Sequence, residues 1–523
     1  MFSRARSIAR RARSGIFFLA LLAILALSYR PPFAQLVPPL ATPPLALPEI
    51  SRPSAEARTV FVPSGGDLQT TLDNARPGDI IALQPGAAFV GNFTLPRNSG
   101  AEWIVIRSAA QQSLPPAGSR IAPSNAQPLP KIVTPNSAPA LTAAAGAHHF
   151  HLVGLEIEAA PTAHPLEALV RVGDGADEKP TDIIIDRCYI HGNAAGGVAR
   201  GLALEGERIT VVDSYLSDFR GGAASRAVTA DGRGPFKIVN NYIAAAGENV
   251  VFGAAADAVP ADIEIRGNFF HKPLIWKRDA DTVKNFLALN SAERALIENN
   301  VFENNWSEDA AGFAVVLSAG EAGAGSTLQD ITFRKNVVRR SGAGIAVMGQ
   351  TPALPGRQTR RVLIQDNLFE EIGGAAWGGS GVLFQVVGVT ADVVIDHNTG
   401  LQNGKALITD GATHSGFVYQ NNISLDNQTA AALGYGDAWS ARFPGYVFAR
   451  NVLTGGSPSG YPTENFFPAS ADTVGFVDPA NGDYRLSATS PYYNAGTDGV
   501  NIGADYDALK TAAFAAVRGE RSS

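Results

Sequence analysis

DIEIRGNFF (Asp262–Phe270), RALIENNVF (Arg294–Phe302), DITFRKNVV (Asp330–Val338) and RVLIQDNLF (Arg361–Phe369) state one phrase in succession: a strand-forming run, a polar step, then Asn before one or two apolar residues. Six further copies surround them, beginning at Asp182, Ile209, Phe236, Asp392, Gly416 and Tyr446. The shared column reads Cys188, Ser214, Asn241, Asn268, Asn300, Asn336, Asn367, Asn398, Asn422 and Asn451. Its steps run from 24 residues (422 minus 398) to 36 (336 minus 300). That period is the signature of stacked solenoid coils. Ile183 with Ile185, and Ile263 with Ile265, alternate as a strand with every second side chain turned inward.

A buried amide carries two donors and two acceptor lone pairs, so a stack of Asn one strand spacing apart lets each satisfy the next. At about 4.8 Å per coil, the visible coils with one or two upstream predict a rod of roughly 50 to 60 Å. At 523 residues the length alone would suggest several domains, but a solenoid has no such ceiling, and one elongated β-rich domain is expected. Gly at 54 and a charged fraction of 17 % fit a chain with many turns.

The N-terminus carries Arg4, Arg6, Arg10, Arg11 and Arg13, then the apolar run Gly15–Leu27, with no acid before Glu49. Residues 1–30 therefore read as a signal peptide or a retained membrane anchor, with export to the periplasm or cell exterior. Residues 31–58, rich in Pro, read as an extended linker. The solenoid is expected over 59–473 and a closing segment over 474–523. Losing residues 1–30 removes six Arg and no acid, taking the net charge from −6 to −12 and arguing against nucleic acid as a partner. Cys188, the single cysteine, allows no internal disulfide and reads as a small buried residue. The rod is expected to be a monomer.

The segment VPSGGDLQTTLDNARPGDIIALQPGAAFVGNFTLP from Val62 resembles the N-terminal cap of the pectate-lyase-like right-handed parallel β-helix superfamily. Within it, Asp67–Ala75 forms a short amphipathic helix suited to cover the first coil. GFVDPANGDYRLSATSPYYNAGTDGVNIGAD (Gly475–Asp505) is similar to the closing segments of bacterial members. The resemblance implies an all-β right-handed parallel β-helix, and a place among lyases, polygalacturonases, epimerases or non-catalytic spike modules. The paired-Asp, Gly-His-Gly set of polygalacturonases and the Asp-Pro-His-Asp signature of alginate epimerases are absent. Fold alone assigns no function.

Three of the nine Lys fall within thirteen positions: Lys272, Lys277 and Lys284, with His271, Trp276 and Arg278 among them. This loop interrupts the coil rhythm, a usual place for a groove on a rigid scaffold. Elimination on a uronate polymer needs a base for the C5 proton and a cation for the carboxylate. Lyases that resemble this fold use a Lys base with an Arg partner. Lys284 is the first candidate base, then Lys277 and His271; Arg278 and Arg266 are candidates for the carboxylate, and Glu248 for an acid/base or Ca²⁺-binding role. Lys272, Trp276, Trp306 and Trp377 are candidate substrate contacts, the Trp rings as stacking faces for sugars. Asp174, Glu205 and Asp231 each precede Gly at a strand end and form a weak Ca²⁺ column that is equally ordinary turn chemistry. His397 reads as structural, and His149 with His151 as a metal pair lacking a third ligand. The expectation is an exported uronate lyase-type protein with a polysaccharide partner. The alternatives are a non-catalytic carbohydrate-binding or surface scaffold, or a glycoside hydrolase using Glu248 with Asp231.

Overall fold

The computed structural model describes residues 41–45 and 57–521, the latter apart from 162–164, 174, 176–177, 194–196, 221, 255–257, 280, 308–310, 320–322, 354–355, 411, 428 and 430–436. The proposed leader and Asp174 lie outside the described residues. Among those described, no helix is long and apolar enough to cross a membrane.

Three parallel sheets of fourteen, thirteen and eleven strands run side by side, each coil giving one strand to each in turn. The first sheet holds the strands before the Asn column, the second those after it, and the third completes the coil. The chain is a right-handed parallel β-helix, the hand expected of parallel crossovers. Inward positions stack coil on coil: Ile263, Ala295, Ile331, Val362 and Val393 are paired in register and all buried. The helix Leu68–Asp73 caps the first coil, its N-cap Asp67 accepting the Thr70 amide at 2.9 Å and Leu68 and Leu72 turned inward.

The Asn column is a continuous ladder. Asn300 donates from Nδ2 to Asn336 Oδ1 at 3.0 Å, Asn336 to Asn367 at 3.1 Å and Asn367 to Asn398 at 2.9 Å, while each Nδ2 also meets a backbone carbonyl. Ser214 and Cys188 continue it with smaller groups, and Asn465 adds a rung beyond Asn451. Cys188 is fully buried, and burial pushes its thiol up to about 12. The residue before each rung turns the chain in the left-handed region, as at Asp213, Lys335, Asp366 and His397 (φ 50 to 53°).

A second left-handed column opens the strands of the first sheet: Asp182, Arg208, Asp262, Arg294, Asp330 and Arg361. Its members pair across neighbouring coils, Arg208 with Asp182, Arg294 with Asp262 and Arg361 with Asp330, each through two hydrogen bonds of 2.6 to 2.9 Å. Residues 41–45 of the Pro-rich segment lie along this column. Thr42 donates its amide to Asp330 Oδ1 at 2.9 Å, and Leu45 donates to Asp262 Oδ1 at 3.1 Å.

The C-terminal segment folds back over the second sheet. Leu509 and Ala516 of the helix Tyr506–Arg518 cover Val301, Val337 and Leu368. Beyond that helix, Arg521 pairs with the buried Asp213 at 2.7 Å, and Arg120, from an early loop, donates to the carbonyls of Asn240 and Ala516.

Candidate functional site

The basic loop is real, but most of its predicted contacts face inward. Its chain turns through the helix Leu274–Arg278 and is pinned by Arg220, which pairs with Asp279 (3.1 Å) and Asp281 (2.7 Å) and lies over the Trp276 ring. Trp276 and Trp306 are buried against Tyr242, Ala244 and Ala246. Lys272 is fully buried, its Nζ donating to the carbonyls of Ala245, Ala246 and Gly247. These three residues cannot touch a polymer, so their assignment as substrate contacts is corrected: the tryptophans do share one side of the solenoid, but as its packing. Trp377 is half-buried, with Lys277 Nζ 5.3 Å above its ring and bonded to the Ala376 carbonyl.

Two candidate acid/base groups are also committed elsewhere. His271 is held between the Tyr242 hydroxyl (2.8 Å) and Asn304 Nδ2 (3.1 Å), and burial pushes its pKa down, which keeps it neutral rather than poised toward solvent. Glu248 is buried and accepts from Arg226 Nε at 2.9 Å. Arg266 lies on the first sheet, paired with Glu298, away from the loop. Lys284 and Arg278 remain exposed; Arg278 approaches Asp279 at 4.0 Å.

What the structure assembles is a charged track on the edge of the third sheet. Glu167, Arg200, Arg226 and Glu248 stand on four successive coils, with Arg200 paired to Glu167 (2.8 Å) and Arg226 to Glu248. Lys284 follows on the next coil, one position before the register of Glu248, its amide bonded to the Gly247 carbonyl at 3.1 Å. The sequence reading missed Arg200 and Arg226. Their signal was the alignment of VARGLAL, SRAVTA and ENVVF as third-sheet strands, which places Arg, Arg and Glu in one register.

The proposed hydrolase pair does not form. Glu248 pairs in register with Arg226, whereas Asp231 follows the far end of that strand, after Ala230 opposite Phe252. Five residues of strand put roughly 16 Å between the two rungs, beyond the 5 to 10 Å that flanking carboxylates need.

Of the Ca²⁺ column, Glu205 and Asp231 are described, and each has a protein partner of its own. Glu205 accepts from Arg171 at 3.0 Å and Asp231 from the Ala254 amide at 2.6 Å, so each serves a turn or an ion pair. Among the described residues one group could hold a metal ion: Glu156, Glu158 and His191 on the outer face of the second sheet. His191 Nδ1 lies 2.8 Å from the Gly192 carbonyl, which can only accept, so Nδ1 bears a proton. Nε2 then faces Glu156 Oε1 at 3.1 Å, a contact that needs a second proton or a cation there. Burial opposes the charge on His191, yet its bonds to Glu156 and Gly192 prevail and raise its pKa. Lys131 completes an ion-pair cluster around both glutamates. An imidazole with two carboxylates suits a borderline metal better than Ca²⁺, which prefers oxygen throughout. His151 pairs with Asp186 at 3.3 Å, which leaves the HHFH strand without a metal set.

Three parallel sheets, an internal Asn ladder and a helical N-terminal cap give the chain the architecture of a right-handed parallel β-helix. No protein-family model and no curated protein matches its sequence. Among solved structures it is similar to an alginate lyase from Paenibacillus sp. (14 % identity, TM-score 0.34, covering 79 % of this chain and 98 % of that one). It is also similar to a mannuronic-acid-specific family 6 polysaccharide lyase from the human gut microbiota (12 %, TM-score 0.42, 87 % and 98 %). A family 6 alginate lyase aligns over 85 % of this chain at 13 % identity and TM-score 0.45, and the chain spans 58 % of that enzyme's length. These likenesses are of fold.

Proposed function

We propose that the protein acts on an acidic polysaccharide lying along the third-sheet edge, by β-elimination at a uronate unit. The observation that carries this reading is the placement of Lys284: exposed, without an ion pair among the described residues, and one coil beyond the Arg226–Glu248 pair. Coils about 4.8 Å apart present one charged position per step, a spacing suited to successive units of an extended polymer. Arg226 uses Nε on Glu248 and keeps further guanidinium donors for a substrate carboxylate. Lys284, as the free amine, takes the C5 proton. The C4–C5 double bond forms as the C4–O bond breaks, and the departing oxygen takes up a proton. The same reading includes export through residues 1–30, with or without retention as an anchor, and rests there on the Arg-rich, apolar leader sequence.

A non-catalytic carbohydrate-binding surface is the second reading, favoured by the commitment of His271 and Glu248, two candidate acid/base groups, to other protein partners. Incubation with alginate, pectate and glycosaminoglycans separates the two. Elimination predicts rising ultraviolet absorbance from the unsaturated product, abolished in Lys284→Ala with polymer binding retained. No absorbance rise on any of them, with binding intact, leaves the surface reading.

A further inference from the structure

Three side chains on the outer face of the second sheet bring one ligand atom each to a common place. They are Glu156 and Glu158 of the strand Glu156–Ala159, and His191 of the strand Tyr189–His191 on the next coil. Glu156 pairs in register with Tyr189, and Glu158 with His191, so the sheet fixes their spacing. His191 Nε2 lies 3.1 Å from Glu156 Oε1 and 3.7 Å from Glu158 Oε2. Two ligand atoms on a tetrahedral ion with bonds of about 2.0 to 2.1 Å stand about 3.3 Å apart, between those two values. The other two oxygens are held from behind by one ammonium: Glu156 Oε2 meets Lys131 Nζ, and Glu158 Oε1 stands 3.7 Å from it. Each carboxylate thus turns one oxygen to Lys131 and keeps the other for the place beside Nε2.

The imidazole is oriented from its far side. Nδ1 donates to the Gly192 carbonyl at 2.8 Å, and Tyr189 stacks on the ring with centroids 4.1 Å apart. A backbone carbonyl on the second nitrogen is the outer support that metal-binding histidines usually have. Nε2 then faces oxygens that only accept, so a proton or a metal ion must stand between them. The place can be reached from solvent: the side chains of His191, Glu158 and Lys131 are 14 %, 27 % and 34 % exposed, over Glu156 as the floor. With a neutral imidazole, two carboxylates against one ammonium leave the cluster one negative charge in excess, which favours a cation.

We infer that Glu156 Oε1, Glu158 Oε2 and His191 Nε2 form a binding site for a borderline divalent cation of the zinc class, its remaining position open to water. One nitrogen and two monodentate oxygens suit such an ion above Ca²⁺, which takes six or more oxygens. The cation takes the place of the second imidazole proton, which leaves to solvent, and it ties two coils together. The site lies on the second sheet, so it does not rest on the polymer reading of the third-sheet edge.

Calorimetric titration of the metal-stripped protein with zinc at neutral pH tests this, with cobalt as a spectroscopic stand-in. One saturable site with a Kd below about 100 µM is expected, and cobalt should give the visible bands of a nitrogen–oxygen site. His191→Gln and Glu158→Gln should each weaken zinc at least about tenfold. Melting temperatures report whether the variants keep the fold, and should His191→Gln melt early, Glu158→Gln decides. His149→Gln, in the HHFH strand, and Lys284→Ala should bind zinc as the parent does, which separates this site from other histidines and from the polymer track. The inference is overturned by a weaker or non-saturating titration, which leaves the second proton in place. Loss of the site in His149→Gln, retention of parent affinity in Glu158→Gln, or displacement of zinc by an equal concentration of calcium would overturn it as well.

Discussion

Lys272 buries its Nζ 2.7 Å from the Gly247 carbonyl and 3.0 Å from those of Ala245 and Ala246, with no carboxylate at ion-pairing distance among the described residues. Burial pushes its pKa down to about 7 from the ordinary 10.5, against a smaller upward pull from Glu248. Between those two values the unfolded chain binds a proton that the folded protein releases, so this residue makes stability rise as pH climbs from about 7 to 10.5. Lys272→Met should lose on the order of 2 to 5 kcal/mol by taking the Nζ donor from the Ala245 and Ala246 carbonyls and leaving that of Gly247 with the Lys284 amide. It should also lack this pH-dependent gain. Urea midpoints of both proteins across that range measure each effect.

Asn336 is bonded on both sides of the ladder, accepting from Asn300 and donating to Asn367 and the Ile297 carbonyl. Asn336→Leu should therefore cost roughly 2 to 5 kcal/mol, since several buried groups lose their partner together. Asn193→Leu, outside the column, should cost far less. Equal denaturation midpoints for the two variants would refute the ladder as a source of stability.

Glu248→Gln removes the carboxylate that occupies Arg226 Nε. If the third-sheet edge holds an acidic polymer, affinity should rise by about two- to tenfold, and the gain should shrink in high salt as screening takes over. Binding isotherms for pectate or alginate at two ionic strengths decide it.

His191 has a raised pKa in the folded protein, so its share of stability is present below its unfolded value and is lost as pH rises through the folded one. His191→Gln should flatten that part of the stability profile. If a borderline metal instead fills the place of the second proton, zinc should stabilise the parent at high pH and leave the variant unaffected.

Asp330→Ala and Asp262→Ala remove the acceptors of the Thr42 and Leu45 amides. Exchange of those two amides should accelerate at least about tenfold in the matching variant, and limited proteolysis should cut sooner in the Pro-rich segment. Unchanged exchange would show that the strap is held by other contacts.

Much of the fold could be read directly from the repeated phrase, because one side-chain period and one Asn per coil dictate strand, turn and stacking together. The ion-pair column was visible too, in hindsight: the copies beginning at Asp262, Arg294, Asp330 and Arg361 open with alternating acid and base, a pattern meaningful only once neighbouring coils are aligned. The functional residues were less legible. Density of Lys and Trp marked the loop 272–285, but burial there depends on Arg220 pulling the helix inward, a contact between residues more than fifty apart. His397 was read as structural: its Nδ1 meets Asp396, but its Nε2 has no hydrogen-bond partner and faces Asp498 of the C-terminal segment at 3.6 Å.

The strap has a phase. An extended Pro-rich chain advances about 3.1 Å per residue and turns the same side outward every third residue, so Thr42 to Leu45 spans about 9.3 Å. Two coils span about 9.6 Å. A slip by one coil would bring the Thr42 and Leu45 amides opposite Arg294 and Arg361, cations that accept nothing, in place of Asp262 and Asp330. The next amide in that phase would belong to Pro39, which has no hydrogen to give. The alternating column thus works as a graduated scale whose acidic marks, Asp262, Asp330 and Asp392, stand two coils apart, so that charge sequence admits this segment at alternate coils and bars it from the cations between.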